Sequence, residues 1–342
     1  MQQTPQNNWL SYHLYYHESL TWAVVGFVHP AIVALRKADL MDGFFFVLYS
    51  LGGPHIRLRV RPLPGCGEAI EKTVREAAAE FLARSPSTAA LNEEALRKTT
   101  ESILAKDPHE TDGTIHPDNT FIASPFRPEV ARYGGPDLLS HSLDFFTVSS
   151  IAALDFLTRF RKEPRSRQLI LALRLLLRQA LGFAADPDEL IALLDYGVQS
   201  WGEAVPAILE KGDRVFASHR DALCQLFSQG VFDLSSGAPA DGASACLGEA
   251  ARRLSLTVGR DSRRRSIGIS QLHMTATRLG LSNPEEAYIS RLLSSSAHSI
   301  VADEPGTWTK LSEVLTASLS SAEPALPPGA FLPRAFALLD GG

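Results

Sequence analysis

Gly53-Pro54-His55-Ile56-Arg57-Leu58-Arg59-Val60-Arg61 is the stretch around which the rest of the chain can be organised. From His55 onward polar and apolar residues alternate strictly, with the period of a β-strand. As a strand it puts His55, Arg57, Arg59 and Arg61 on one face and turns Ile56, Leu58 and Val60 toward a core. Three guanidiniums and an imidazole side by side repel one another, which destabilises a sheet unless something anionic answers them. Arginine's planar fork suits a carboxylate or a phosphate. Two readings fit: a solvated outer face with acidic neighbours, or a sheet surface that binds an anion.

Working outward, Leu51-Gly52-Gly53-Pro54 is a turn, and Phe44 to Tyr49 before it reads as a strand buried on both faces. Further upstream, Trp9 to His17 sorts by a period of two, with Ser11, His13, Tyr15 and His17 on one face. Leu20 to Leu40 is apolar enough for a helix, which Pro30 breaks or kinks. Downstream, Glu68 to Arg84 is an alanine-rich amphipathic helix. A polar stretch from Ser85 to Asp118 follows, and Asn119 to Phe126 supplies a last strand. The order β-α-β-β-α-β is the ferredoxin-like arrangement. It makes the first and third strands neighbours, so His13, Tyr15 and His17 line the same surface as the arginines. His13 and His17, four apart on a strand, are too widely spaced to chelate a metal tightly, and no metal site is expected.

Beyond Tyr133 long helical patterns follow one another: Leu138 to Phe160, Arg165 to Leu181, Pro187 to Trp201, Val215 to Gln229, Ala243 to Leu256 and Ser266 to Leu279. Ser282-Asn283-Pro284-Glu285-Glu286 opens another, with a cap residue, a proline in the first turn and two early carboxylates. Gly237 to Gly242 and Pro324 to Pro328 read as loops. The fold class is therefore α+β, a sheet module over residues 1–132 followed by a mainly helical region over 133–342. His273 sits on a helical pattern with Ser270, Thr277 and Arg278 within a turn or two. Its imidazole is the side chain suited to moving protons near neutrality. Arg252, Arg253, Arg260, Arg263, Arg264 and Arg265 lack interleaved aromatics for base stacking and read as a solvated loop rather than an RNA patch.

Composition sets the outer limits. The chain has 342 residues, 33 Lys+Arg against 38 Asp+Glu and a net charge of -5, which excludes a polyanion binder that works by bulk charge. With 45% hydrophobic and 21% charged residues, wholesale disorder is excluded too. Cys66, Cys224 and Cys246 lie far apart, which is neither a disulfide framework nor a zinc site and suits a reducing cytoplasm. Met1 to Asn8 lacks a basic n-region, and no apolar run reaches the roughly 20 residues of a membrane span. Nucleotide-binding glycine loops and hydrolase elbows are absent, so no cofactor is expected.

Several segments, in order, resemble one family. They are Trp9-Leu10 with its alternating strand, the Phe45-Phe46 run ending at Tyr49, Pro54-His55-Ile56-Arg57-Leu58-Arg59, Arg132-Tyr133-Gly134-Gly135, and Leu272-His273-Met274 with Thr277-Arg278-Leu279. Together they resemble the small, C-terminal, glutamate-eliminating domain of lantibiotic dehydratases, the thiopeptide-type bacteriocin biosynthesis domain. The resemblance implies enzymatic work on ribosomally made, post-translationally modified peptides (RiPPs) and two candidate reactions. In one, a partner protein attaches glutamate from glutamyl-tRNA to a peptide serine or threonine. The small domain then expels it as a carbon-oxygen lyase, leaving dehydroalanine or dehydrobutyrine. In the other, the same scaffold performs the formal [4+2] cycloaddition between two dehydroalanines that builds a pyridine ring and releases the leader peptide. A third reading is a non-catalytic leader-binding subunit.

Carried over position by position, the resemblance makes Arg57 and Arg59 the holders of the glutamate carboxylates and His273 the general base or acid. His55, Tyr15, His17 and Arg278 would contact substrate. The sequence departs from the eliminating pattern at three places. His17-Glu18 stands where a further arginine is usual, Leu48 replaces an arginine before Tyr49, and Thr277 replaces an asparagine. Elimination stays the first expectation, and these departures raise cycloaddition as its alternative, in which Tyr15, His17, Arg57 and His273 would hold the tautomerised amide and help expel water and leader. The expected partners are the precursor peptide, bound by strand addition to a sheet edge, and a tRNA-dependent glutamylating protein. Direct nucleic-acid or membrane contact is not expected, and a homodimer is left open.

Overall fold

The computed structural model describes residues 8–106, 112–202, 205–236, 242–259, 262–320 and 327–340. Most of the loop expected at Gly237 to Gly242, part of that at Pro324 to Pro328, and Arg260 of the basic run lie outside the described residues. The chain divides into two compact units. One comprises Met1–Glu129 with Ala153–Arg159 and Leu339–Gly342, the other Val130–Ala152 with Phe160–Leu338.

In the first unit an antiparallel sheet of four strands forms from β1 (Leu10–Tyr15), β2 (Met41–Tyr49), β3 (His55–Pro62) and β4 (Thr120–Ala123). The strand order is β2-β3-β1-β4, so β3 and β1 are the inner strands and pair with each other. The expected strand from Trp9 to His17 thus ends at Tyr15, and His17 lies beyond it. Phe44, Phe45 and Phe46 are buried on both faces as expected, yet β2 is an edge strand, and Val47 to Tyr49 are only half-buried.

One face of the sheet carries the core, almost wholly apolar apart from the Tyr12 hydroxyl. Leu14, Phe44, Phe46, Ile56, Leu58 and Val60 are each fully buried there. Burying such a side chain contributes roughly 1.5–3 kcal/mol. The helices of this unit supply the facing core: Phe27, Ile32 and Leu35 from the segment after β1, and Ile70, Val74 and Phe81 from α3 (Gly67–Arg84). The segment after β1 is helical from α1 (Leu20–Ala23) through a π-helical turn (Val24–Val28) into α2 (His29–Lys37). Pro30 falls in the first turn of α2. The wider π turn ahead of it removes the clash that a proline ring makes with the preceding turn of an α-helix. By length and composition Leu20–Lys37 is apolar enough to cross a membrane, a correction to the sequence expectation. In this fold Ala31, Ile32 and Leu35 are buried.

Within the stretch expected to be merely polar, Glu93–Lys106 forms a further helix, α4. Asn92 caps it, accepting from the Ala95 amide at 3.0 Å, and two acidic residues stand in its first turn. Two helices, α3 and α4, therefore stand between β3 and β4 where one was expected.

The second unit is built of long helices. α5 (Leu139–Phe160) belongs to both units, and α6 (Arg165–Phe183), α7 (Pro187–Gly202), α8 (Pro206–Ser236) and α9 (Gly242–Val258) follow. Then come α10 (Arg264–Arg278), α11 (Asn283–Asp303), α12 (Pro305–Ser320) and α13 (Leu332–Asp340). α8 bends at His219, whose φ of -131° is not helical. α11 begins with a capping box in which Ser282 and Glu285 satisfy each other's end of the helix, with a proline in the first turn. Among the described residues of the basic run, Arg252, Arg253, Arg264 and Arg265 are helical and Arg263 stands in the turn before α10. Arg252 and Arg253 lie on α9 and share Glu249, Arg264 on α10 pairs with the buried Glu189, and Arg263 reaches Asp137.

Candidate functional site

Strand pairing turns the arginine face into a grid. Tyr15, His55 and Tyr49 form one row across β1, β3 and β2. His13, Arg57 and Val47 form the next, and Ser11, Arg59 and Phe45 the third. The face is enclosed rather than solvated. His55 is completely buried, Arg59, His13, Ser11 and Tyr15 are buried, and Arg57 is half-buried.

Aromatic rings lie against each of the guanidiniums. Arg57 lies 3.9 Å above the Tyr49 ring and donates from Nε to His55 Nε2 at 3.0 Å. Arg59 stands beside the Phe45–Phe126 ring pair, 5.8 and 5.6 Å from their centres. Arg61, at the outer end, covers Trp9 and pairs with Asp42. A cation over an aromatic face gains more when it is desolvated, which is how the sheet tolerates these neighbours.

The imidazoles are held neutral. His55 Nδ1 donates to the Gly53 carbonyl at 2.8 Å, which leaves Nε2 as the acceptor for Arg57. Burial first and the Arg57 charge second push its pKa down to about 3. His13 is driven well below the usual histidine range by burial and then by Arg59. A continuous ring stack caps this end of the face. His116 lies on Tyr15 at 4.3 Å, Tyr15 on His55 at 4.5 Å, and His13 is 5.0 Å from His55.

The turn before β3 makes this stack possible. Gly52 and Gly53 have φ of 71° and 120°, conformations that side chains disfavour. A Cβ on Gly52 would meet the Thr114 carbonyl at 2.2 Å, and His116 donates its amide to Gly52 at 2.9 Å. The loop carrying His116 is thereby laid on the turn. His17 also approaches this turn, its Nε2 3.0 Å from where a Cβ on Gly53 would stand, and its amide donates to Asp118 at 2.9 Å. Its buried Nε2 has no hydrogen-bond partner among the described residues. His116 was invisible in the sequence, because nothing in an isolated loop histidine signals what it stacks on.

In the second unit His273 lies on α10, and its Nδ1 is 2.8 Å from Glu286 on α11, with the Trp201 ring 5.2 Å away. The carboxylate fixes the ring orientation and tautomer and leaves Nε2 for a further partner. The Arg132-Tyr133-Gly134-Gly135 segment seats α10. Arg132 donates to Ser270 at 3.3 Å, the Gly134 carbonyl accepts from Arg263, and Tyr133 is buried against Phe146. Arg278, expected to contact substrate, is instead completely buried. It donates to Ser149 at 3.1 Å over the Phe146 ring, and burial lowers its pKa to about 9. As placed, it organises the helical core. Arg57, Arg59, His55, Tyr15 and His17 are thus brought together in the first unit, and His273 lies in the second. No cluster of three or more metal-ligating side chains occurs among the described residues.

The sequence profile of the family described as lantibiotic biosynthesis dehydratase C-term matches residues 9–297. No curated protein matches by sequence. Among solved structures, the fold is similar to the pyridine synthase TbtD from thiomuracin biosynthesis (18% identity, TM-score 0.71, covering 86% of this chain and 99% of that one). It is similar also to TsrL (13%, 0.61, 93% and 99%). The tRNA-dependent lantibiotic dehydratase MibB from Microbispora sp. 107891 (19%, 0.51) is matched over 88% of this chain but 29% of that one.

Proposed function

This chain belongs to the lantibiotic biosynthesis dehydratase C-terminal family, and we propose that within RiPP maturation it closes the pyridine ring of a thiopeptide-type precursor. The observation that carries this reading is the make-up of the sheet face. Two guanidiniums stand among neutral imidazoles and tyrosine rings, with His17 and Leu48 where eliminating relatives carry further arginines. Such a surface is built to hold a polarised amide and flat unsaturated groups rather than a dicarboxylate. The fold likeness to a pyridine synthase of similar length supports it.

In this reading one dehydroalanine and its preceding amide act as the four-atom partner once the amide proton has moved from nitrogen to oxygen. Two carbon-carbon bonds form to the second dehydroalanine, and loss of water and of the leader as its amide aromatises the ring. Arg57 steadies the developing negative charge on the amide oxygen, in a water-poor site where a fixed donor is most effective. The outer face of the His116 ring, whose inner face lies on Tyr15, packs on the unsaturated groups. In the second unit His273, with Nδ1 on Glu286, is the candidate for proton transfer.

Glutamate elimination is the second reading, favoured by the Arg57–Arg59 pair, which could hold the leaving carboxylates. It would need a tRNA-dependent glutamylating partner. Mass spectrometry separates the two. A dehydroalanine-rich precursor loses leader and water under ring closure, and a glutamylated precursor loses glutamate under elimination. Leader binding with neither change would leave only a leader-binding subunit.

A further inference from the structure

Four helices of the second unit meet around a small pocket next to His273. Its walls are aliphatic: Leu176 of α6, Leu194 of α7, Ile269 and Leu272 of α10, and Leu293 of α11. Glu286 and Ser290, one turn apart on α11, bring polar groups to it. Glu286 is 8% exposed, and its Oε2 accepts from His273 Nδ1. Among the described residues nothing else pairs with this carboxylate, and the Ser290 hydroxyl has no hydrogen-bond partner. A carboxylate oxygen set against hydrocarbon is costly unless a donor reaches it. Gly197 of α7 leaves room for the hydroxyl, since a Cβ there would stand 2.1 Å from Ser290 Oγ. Tyr196 also lines the pocket and is 42% exposed, which marks its way to the surface.

We propose that this pocket seats one aliphatic residue of the precursor peptide, its side chain among the leucines and its main-chain N–H on the free oxygen of Glu286. Apolar walls with a few placed polar groups are the general make-up of a ligand pocket. The Ser290 hydroxyl, able to donate and to accept, serves the neighbouring peptide group. Leu272 and Glu286 both adjoin His273, one in sequence and the other by its hydrogen bond. An extended chain advances at most about 3.6 Å per residue, so the residue presented to His273 lies one or two positions from the seated one. The inference rests on the reading of His273 as the proton-transfer residue of peptide maturation and deepens it, by naming a specificity site for an aliphatic neighbour of the reacting residue. The chemistry recognised is an aliphatic group beside an N–H donor, which an internal residue and an amino-terminal residue of a peptide both carry.

The test titrates the full chain with N-acetyl-L-leucinamide, N-acetylglycinamide and L-leucinamide at millimolar concentration, followed by saturation-transfer NMR of the probes. N-acetyl-L-leucinamide is expected to bind about tenfold or more tightly than N-acetylglycinamide, from burial of the leucine side chain. Ser290→Ala weakens binding of the leucine probe about fivefold. Leu194→Phe fills the pocket and abolishes it, and the thermal unfolding midpoint shows whether that variant folds. Tighter binding of N-acetyl-L-leucinamide than of L-leucinamide supports the pocket with an internal residue as its occupant, and the reverse order supports it with an amino-terminal one. Equal binding of the leucine and glycine probes, or leucine binding undiminished in every variant that folds, overturns it. Ring closure is measured on the same wild-type sample. Closure without leucine-probe binding overturns the pocket and leaves the functional reading standing, and binding without closure does the reverse.

Discussion

In the sheet unit His55 is completely enclosed, with Nδ1 donating to a backbone carbonyl and Nε2 accepting from Arg57. In the helical unit His273 keeps a 24% exposed side chain and places Nδ1 on the Glu286 carboxylate. The difference lies in the partner. A guanidinium can only donate, so the nitrogen it faces must stay unprotonated, and the ring is fixed as a neutral acceptor. A carboxylate only accepts, so its histidine can carry a proton on the other nitrogen and give it up again. The same side chain is therefore a rigid strut in one unit and, in the proposed function, a proton carrier in the other.

The largest expected effect tests the proton carrier. His273→Ala should lower ring-closure turnover by about 10²- to 10⁴-fold, the range for loss of a general acid or base. The thermal unfolding midpoint should move little. An unfolding midpoint that falls while turnover of the folded fraction persists would make His273 structural and erase the contrast.

The next effect tests the strut by pH. The folded His55 pKa of about 3 lies below its unfolded value near 6.5, and His13 is shifted the same way. Below about pH 6.5 the unfolded chain binds more protons than the folded one. Stability from these rings is therefore full above that pH and is lost as pH falls toward 3. Each ring contributes a slope approaching 1.4 kcal/mol per pH unit, so the pair should cost roughly 4 kcal/mol between pH 7.5 and 5. Urea unfolding of the wild type at the two pH values measures this, and a flat profile would show that the rings are not held neutral.

A smaller change sharpens the same point. Arg57→Met removes the donor to His55 and leaves a buried acceptor unpaired, at about 1–3 kcal/mol. It also removes a cation that opposes protonation of His55, so the loss of stability in acid should become shallower than in the wild type. Equal slopes would mean that burial alone sets the histidine. The smallest expected effect is that of Glu286→Gln, which keeps a hydrogen-bonding side chain beside His273 but removes the charge. Because the ring keeps a hydrogen-bond partner, a fall in turnover of about tenfold is expected, smaller than that for loss of the general acid or base itself. A shift in the pH optimum should accompany the fall in turnover, and a fall without any shift would reduce Glu286 to a packing role.

What could be read ahead of the structure followed how local each signal was. The alternation of His55 to Arg61 located β3, and the Ser282 to Glu286 cap signals located the start of α11, because both depend on neighbouring residues only. The polar α4 escaped notice because its composition is that of a loop, although Asn92 and the two glutamates after it were a usable start signal. The arginine face was read correctly as a grouping but not as an enclosed one. The rings that cover it, Trp9, Phe45 and Phe126, come from three separate segments, and no pattern within β3 announces them. Arg278 was misread for the same reason. Its place above Phe146 and beside Ser149 depends on a helix 129 residues earlier in the chain.

The π-helical turn at Val24–Val28 has a consequence for how this segment can vary. Such a turn holds one residue more than an α-helical turn, and each residue of an α-helix rotates the next by about 100°. Deleting a single residue there would restore a regular helix, but it would rotate everything ahead of the turn, from Ser19 to Ala23, by that angle relative to α2. The buried Ala23 would swing outward and the half-exposed Trp22 would be redirected. This stretch should therefore tolerate exchange of one apolar residue for another far better than any change in its length.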